Sequence, residues 1–180
     1  MMDPVRELKI RAELLHTRVE SRDAEALSRL RALPELRRAD EAALAAAAPG
    51  IRRKHCLAAV ARECGFTSWE RARRALEGEP GAPELGTLLY GRDAGALHHW
   101  FATHDEARAH IEALPEAPRG YLLAYKHHVF VADRAFVASL GLDPDDPDWQ
   151  AIGWDWARPA DPAARGRLYA KRLAAMRGKA

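Results

Sequence analysis

Residues 121–132 have the sequence Tyr-Leu-Leu-Ala-Tyr-Lys-His-His-Val-Phe-Val-Ala and decide the class of fold. Residues 121–125 and 128–132 are rich in aromatic, β-branched and aliphatic side chains, the composition typical of β-strands. Only Lys126 and His127 separate the two runs, which is the length of a tight hairpin turn. The stretch therefore predicts an antiparallel hairpin in a chain whose other patterns are mostly helical.

The residues before this hairpin predict a strand followed by a helix. Residues 97–102 form a candidate strand. Thr103 and Glu106 have the spacing of a capping box, in which each side chain accepts a hydrogen bond from the backbone of the other. A helix is therefore expected to begin directly after Thr103.

The residues after the hairpin predict three more helices. Asp133 caps a helix over residues 134–140, since a side-chain oxygen at this position accepts from the free N–H groups of the first turn. Asp146 and Asp161 are each followed by proline, which is favoured at the first helical position. The order β-α-β-β-α-α-α predicts an α+β module with a small antiparallel sheet over residues 87–180.

The first part of the chain predicts helices only. Apolar residues recur at spacings of three and four, the period of one helix face, at Val5, Leu8, Ala12, Leu15 and Val19. Residues 79–86 are rich in Gly, Pro and Glu, the composition of a linker. The predicted organisation is an N-terminal helical bundle over residues 1–78, a linker over 79–86 and the α+β module.

Residues 60–69, Val-Ala-Arg-Glu-Cys-Gly-Phe-Thr-Ser-Trp, resemble the helical segment found ahead of ankyrin repeats in bacterial proteins. The helical lead-in over residues 8–33 fits the same segment, so the resemblance extends over residues 1–78. It implies a helical packing or interaction module and assigns no catalytic residue. No Thr-Pro-Leu-His signature of an ankyrin repeat follows, and residues 85–180 resemble no family that we recognise.

Composition excludes several classes of protein. Of the 180 residues 48% are hydrophobic and 30% are charged, which argues against disorder. A net charge of +2 shows no excess that requires a nucleic-acid or membrane partner. No apolar run approaches the roughly 18 residues of a membrane helix, and the polar start is unlike a signal peptide. We expect a cytoplasmic protein, and the abundance of Arg, Ala, Gly and Pro is typical of a bacterial genome rich in G and C.

The two cysteines are predicted to be reduced and buried. Cys56 and Cys64 are eight residues apart on a helical pattern, a rise of about 12 Å. A disulfide needs Cα atoms within about 7 Å of each other. Packing is therefore favoured over a disulfide, and also over a metal pair.

The aromatic residues of the α+β module are candidates for a ligand or partner groove. Such grooves are lined by aromatic anchors, and the candidates are Trp100, Trp149, Trp154, Trp156, Tyr121 and Tyr125. For the indoles, the core of a small module is favoured over a groove, since such a module must bury apolar area with few residues.

The histidines suggest a divalent transition-metal site in a metal-dependent enzyme. Six of the eight lie between residues 98 and 128, and the candidate ligands are His98, His99, His104 and His128. Adjacent residues on a strand point to opposite faces, so each neighbouring pair offers one ligand at most. No standard metal-binding spacing is present, and surface histidines are the alternative.

A nucleic-acid site is the third candidate. Residues 60–66 resemble the first half of a DNA-binding helix-turn-helix, and Arg71, Arg73 and Arg74 supply positive charge after it. Arg71 and Arg74 stand where that motif would bury apolar side chains, so a solvated helix face is the alternative.

No Gly-x-Ser-x-Gly turn or glycine-rich phosphate loop occurs in the sequence. The leading prediction is therefore a non-catalytic adaptor that binds a protein or peptide. A metal-dependent enzyme and a nucleic-acid-binding protein are the two alternatives.

Overall fold

A computed structural model describes residues 3–79, 81–90, 98–114 and 120–177. Its helices are α1 (Pro4–Glu20), α2 (Ala24–Arg29), α3 (Glu41–Ala47), α4 (Arg53–Glu63), α5 (Trp69–Leu76), α6 (His104–Glu112), α7 (Arg134–Ser139), α8 (Pro147–Ala151) and α9 (Pro162–Arg177). Its strands are β1 (His99–Phe101), β2 (Tyr121–Tyr125) and β3 (His128–Ala132). This order confirms the predicted α+β class, with helices first and a small sheet after them.

The sheet is antiparallel and has the order β1-β3-β2. The predicted hairpin has the predicted bounds, and Phe130 pairs with Leu123 on one side and Trp100 on the other. Lys126 has φ of 56°, the left-handed backbone that two-residue hairpin turns require. The candidate strand at residues 97–102 is shorter than expected, and Leu97 lies outside the described residues.

A short segment continues the sheet beyond β2. The Leu122 N–H donates to the carbonyl of Trp154, and the Trp156 N–H donates to the carbonyl of Leu122, each at 2.9 Å. Asp155 lies between these bonds as a parallel bridge partner of Leu122. The outer edge of β2 therefore fixes the position of the Asp155 side chain.

The two faces of the sheet pack on different elements. On one face of the sheet, Leu122 and Val129 pack against Ala107 of α6. On the other face, Leu123 and Phe130 are part of the large core. Alternation of side chains along each strand produces these two apolar layers.

The large core is continuous across the predicted module boundary. It contains residues on both sides of that boundary, from Val5 of α1 to Leu173 of α9, and the Arg11 guanidinium donates to the Leu173 carbonyl at 2.7 Å. The predicted linker is hydrogen-bonded to the hairpin, because the Leu85 N–H donates to the Lys126 carbonyl at 3.1 Å. The division into two modules stays a prediction, while the packing joins the two parts in one core.

The helix starts predicted at Thr103, Asp133, Asp146 and Asp161 and the predicted cysteine states agree with the structure, which also has capped helices after Asp23, Asp40 and Ser68. Side chains accept from first-turn N–H groups at Asp23, Asp40, Ser68, Thr103, Asp133, Asp146 and Asp161. Both cysteines are free and buried. Burial raises the pKa of Cys56 to about 11 and that of Cys64 to about 12, so both thiols are protonated at neutral pH. In the part of the chain that the structure describes, no helix combines the length and apolarity needed to cross a membrane.

Gly65 ends α4 with φ of 82°, and a Cβ there would lie 2.3 Å from the Thr87 side chain. We predict that Gly65→Ala lowers the free energy of unfolding by about 1–3 kcal/mol, because it adds backbone strain and a close contact. Gly166 is the matched control, since it lies within α9 with no atom within 4 Å of a new Cβ. Gly166→Ala should stabilise by about 0.5–1 kcal/mol in the same urea titration. Equal effects of the two substitutions would contradict this account.

Candidate functional site

Three residues of the predicted groove lie in the core instead. Trp149, Trp156 and Tyr121 are at most 2% exposed. Their rings contact one another, with 5.0 Å between the centroids of Tyr121 and Trp149 and 5.7 Å between those of Trp149 and Trp156. These aromatic side chains bury apolar area in the core, so a ligand at the surface does not reach them.

The other three groove candidates lie in two separate places. Trp100 is 44% exposed and packs edge-on against Tyr90 and Tyr125. Trp154 lines a different cavity of about 330 Å³ beside Arg108. The six aromatics predicted to form one groove therefore do not form one.

The four candidate metal ligands do not converge. His98 packs against Phe136 with centroids 4.3 Å apart, whereas His99 points to the other face of the sheet and stacks on His110 at 5.0 Å. His128 is exposed, and His104 contacts Asp155. Within the described residues no group of three or more His, Cys, Asp or Glu side chains is arranged to hold a metal ion. Strand alternation separates the adjacent histidines, so the structure does not favour the metal hypothesis.

His98 instead makes stability depend on pH. Burial lowers its pKa, although the charge of Asp133 partly offsets this. The unfolded chain then binds the proton more readily, so stability is lost as pH falls below about 6.5. The free energy of unfolding falls with a slope of at most about 1.4 kcal/mol per pH unit. We predict that His98→Phe removes this pH dependence, as measured by urea titrations at pH 7 and pH 5. His128→Phe at an exposed position is the control, and an unchanged slope in His98→Phe would contradict the prediction.

The three candidate nucleic-acid residues are all paired with carboxylates. Arg73 contacts Glu70 and Glu77, each at 2.7 Å. Arg74 forms a bidentate pair with Glu79, and the buried carboxylate of Glu84 lies 3.6 Å from Arg71. These glutamates neutralise α5, and phosphate binding needs uncompensated positive charge. The structure therefore favours the solvated, ion-paired helix face.

The strongest candidate site is a cavity of about 590 Å³ between the two parts of the chain, called here the central cavity. Its wall comes from the segment after α5, the start of α6, the hairpin turn and the start of α9. The lining residues are Gly78, Glu79, Gly81, Ala82, Leu85, Thr103, His104, His127, Val129, Ala157, Arg158, Pro159, Pro162 and Arg165. This volume is typical of small-ligand sites in proteins.

His104 is held in one orientation at the wall of the central cavity. It is the first residue of α6 after the Thr103 cap. Its Nε2–H donates to Asp155 Oδ2 at 2.6 Å, and both side chains are largely buried. Asp155 is fixed in turn, because its Oδ1 accepts from the Arg158 N–H at 2.9 Å. His104 Nδ1 is buried and makes no hydrogen bond within the described residues, and the nearest acidic oxygen, Asp105 Oδ1, lies 3.5 Å from it.

Arg165 places a buried positive charge at the same wall. It is 2% exposed. Its guanidinium donates to the carbonyls of Trp156 at 3.0 Å and Ala75 at 3.3 Å, and its Nε–H has no hydrogen-bond partner among the described residues. No carboxylate of the described residues lies within 4.0 Å of Arg165. A buried charge is normally paired, because removing it from water costs several kcal/mol.

Two other charged side chains of the central cavity, Arg158 and Glu79, are paired. Arg158 donates to Asp105 at 2.7 Å, and this hydrogen bond is the main reason that the pKa of Asp105 lies below its usual range. Glu79 on the wall is already paired with Arg74. Arg165 is therefore the charge at this wall that has no counter-ion in the described residues.

Arg165 and Asp155 were not among the residues proposed from sequence. The spacing of residues in α9 could have indicated that Arg165 is buried. The buried residues of this helix recur with helical spacing at Ala164, Arg165, Leu168, Tyr169, Arg172 and Leu173. An arginine inside such a stripe faces the core, and arginine is rarely fully buried unless it is paired. No comparable pattern marks Asp155, which reaches His104 through pairing with β2.

Comparison of this chain with protein-family models, with curated proteins and with solved structures finds no match in any of the three. The resemblance of residues 1–78 to an ankyrin-associated helical segment therefore stays a prediction.

Proposed function

We propose that this protein is a non-catalytic binding protein whose central cavity takes a carboxylate of a peptide or protein partner. The observation that carries the proposal is the buried Arg165 guanidinium, which has a free N–H and no carboxylate partner among the described residues. A ligand carboxylate would supply the missing counter-ion. It would also form the charge-assisted hydrogen bond for which a guanidinium is well suited.

The polar groups around Arg165 support binding more than catalysis. The described lining contains no serine or cysteine, and its one hydroxyl, on Thr103, already caps α6. His104 Nδ1 accepts a hydrogen bond when the ring is neutral. It thus complements an N–H group of a peptide beside the carboxylate that Arg165 binds.

Three short peptides test the proposal and separate two sources of the carboxylate. Acetyl-Ala-Glu-Ala-amide has a side-chain carboxylate, acetyl-Ala-Gln-Ala with a free carboxyl terminus has a terminal one, and acetyl-Ala-Gln-Ala-amide has neither. We expect isothermal titration calorimetry to detect binding of one or both carboxylate peptides and not of the neutral one. Equal binding of all three peptides, or binding of none, would contradict the proposal.

A further inference from the structure

A second concave surface borders the same segment, residues 81–86, at Glu84. It has a volume of about 820 Å³ and is called here the basic cleft. Its lining residues are Arg31, Ala32, Pro34, Arg37, Arg62, Glu63, Gly65, Phe66, Thr67, Glu84, Lys126 and His127. His127 borders both concavities, and its Nδ1 lies 2.9 Å from the carbonyl of Pro83.

The cations of the basic cleft lack carboxylate partners. Within the described residues, no carboxylate lies within 4.0 Å of the charged nitrogens of Arg31, Arg37, Arg62 or Lys126. Arg31 donates to the Ala39 carbonyl at 3.0 Å, and Arg62 donates to the Thr67 carbonyl. The Nε of Arg62 is buried without a hydrogen-bond partner in the part of the chain that the structure describes. Elsewhere the surface arginines are commonly ion-paired, as in Arg18–Asp23, Arg53–Glu13 and Arg134–Asp145.

The two carboxylates on the wall are engaged by other groups. Glu63 forms a bidentate pair with Arg29 at 2.7 and 2.8 Å. Glu84 is 5% exposed and accepts from the Thr67 N–H at 2.8 Å and from its hydroxyl at 2.6 Å. Burial raises the pKa of Glu84, but these hydrogen bonds and Arg71 outweigh it and leave the pKa below its usual range. Four cations therefore face the cleft with no free counter-charge on its described lining.

We propose that the basic cleft is a second binding site, and that it takes an acidic segment of a peptide or protein. Its cations come from three separate parts of the chain, the turns around Arg31 and Arg37, α4 at Arg62 and the hairpin at Lys126. Such a distribution matches several carboxylates spaced along a chain better than one compact anion. Phe66 and Pro34 add an apolar surface beside the charges, and this combination complements a peptide.

The charges beside the cleft favour a peptide over a polynucleotide. A nucleic-acid surface needs a basic stripe that follows successive phosphates. The neighbouring arginines of α5 are instead neutralised by Glu70, Glu77 and Glu79. The positive surface therefore ends at the cleft. This inference does not depend on the central cavity, because Arg165 and His104 are not part of the cleft lining.

Fluorescence anisotropy with labelled hexaglutamate tests the second site, and it is measured in the Arg165→Met background so that carboxylate binding at the central cavity does not contribute. We expect one peptide to bind per chain, and Arg37→Glu to raise its Kd by about ten-fold or more, because an attractive charge becomes a repulsive one. Lys126→Asn removes a second cation while keeping a residue that tolerates the left-handed turn, and it should weaken binding several-fold. Circular dichroism on each variant establishes that it is folded.

Lys9→Glu is the matched control, since it makes the same change of charge at an exposed position of α1 outside the cleft. It should leave the Kd for hexaglutamate within about two-fold, because distant surface charges are largely screened. An equal loss in Lys9→Glu, or no binding of hexaglutamate, would overturn the proposal. Tighter binding of a hexathymidylate oligonucleotide, weakened by Arg37→Glu, would overturn it in favour of a nucleic-acid site.

Discussion

Arg165→Met is expected to abolish most of the affinity for a carboxylate peptide while the protein stays folded. Truncating one partner of a buried, hydrogen-bonded charge pair costs about 2–5 kcal/mol of binding, which is at least about 30-fold in Kd. The free energy of unfolding should change by less than about 2 kcal/mol, because relief from burying a charge offsets the lost hydrogen bonds to two carbonyls. Calorimetry with acetyl-Ala-Glu-Ala-amide and a urea titration measure the two quantities.

The chain contains a matched control for this experiment in Arg172. It is also buried, its guanidinium donates to the carbonyls of Leu88 at 2.6 Å and Leu140 at 2.5 Å, and it does not line the central cavity. Burial lowers the pKa of Arg172. Arg172→Met should therefore perturb stability in a similar way and leave peptide binding unchanged. Equal losses of affinity in the two variants would show that Arg165→Met weakens binding by disturbing the fold and not by removing a contact with the ligand.

The second large effect is expected at Trp156, for which the sequence left a groove and the core as alternatives and which the structure places in the core. Its ring is fully buried, with its centroid 4.6 Å from that of Tyr169 and 5.7 Å from that of Trp149. We predict that Trp156→Ala lowers the free energy of unfolding by about 3–5 kcal/mol, because it removes a large apolar side chain and leaves a cavity. A urea titration followed by far-ultraviolet circular dichroism measures the loss.

Trp156→Phe is the control for this prediction. It keeps an aromatic ring against Tyr169 and Trp149, so the loss should be clearly smaller than in Trp156→Ala. In both variants we expect one cooperative transition, because the core is continuous from α1 to α9. A loss below about 1 kcal/mol in Trp156→Ala would place the indole outside the core.

The class of fold was predictable because local chemistry determines it. The hairpin at residues 121–132 combines β-prone runs with a two-residue turn, and the caps at Thr103 and Asp133 define helix starts by direct hydrogen bonds. These signals depend on neighbours within a few residues, so they persist in the folded chain. Element ends were less accurate, since α7 ends at Ser139, one residue before the predicted end.

The candidate site was mostly not predictable, because it depends on contacts between distant segments. His104 was a candidate, but its partner Asp155 is 51 residues away and reaches it through an edge pairing beside β2. The alternation that sends His98 and His99 to opposite faces of the sheet was predictable, but the contacts of His98 with Phe136 and of His99 with His110 were not. The clearest missed signal is Arg165 in the buried stripe of α9, where the guanidinium has no carboxylate partner among the described residues.

The most direct test of the central cavity follows the Arg165 side chain itself. Nuclear magnetic resonance of protein labelled with ¹⁵N at arginine reports each Nε–H group, and the Arg165 signal is assigned by its absence in Arg165→Met. We predict that addition of the carboxylate peptide that binds in calorimetry shifts the Arg165 Nε–H signal, because that group gains an acceptor, while the Arg172 signal stays in place. Binding of the peptide with no change at Arg165 would contradict the proposal that its buried charge is the carboxylate site.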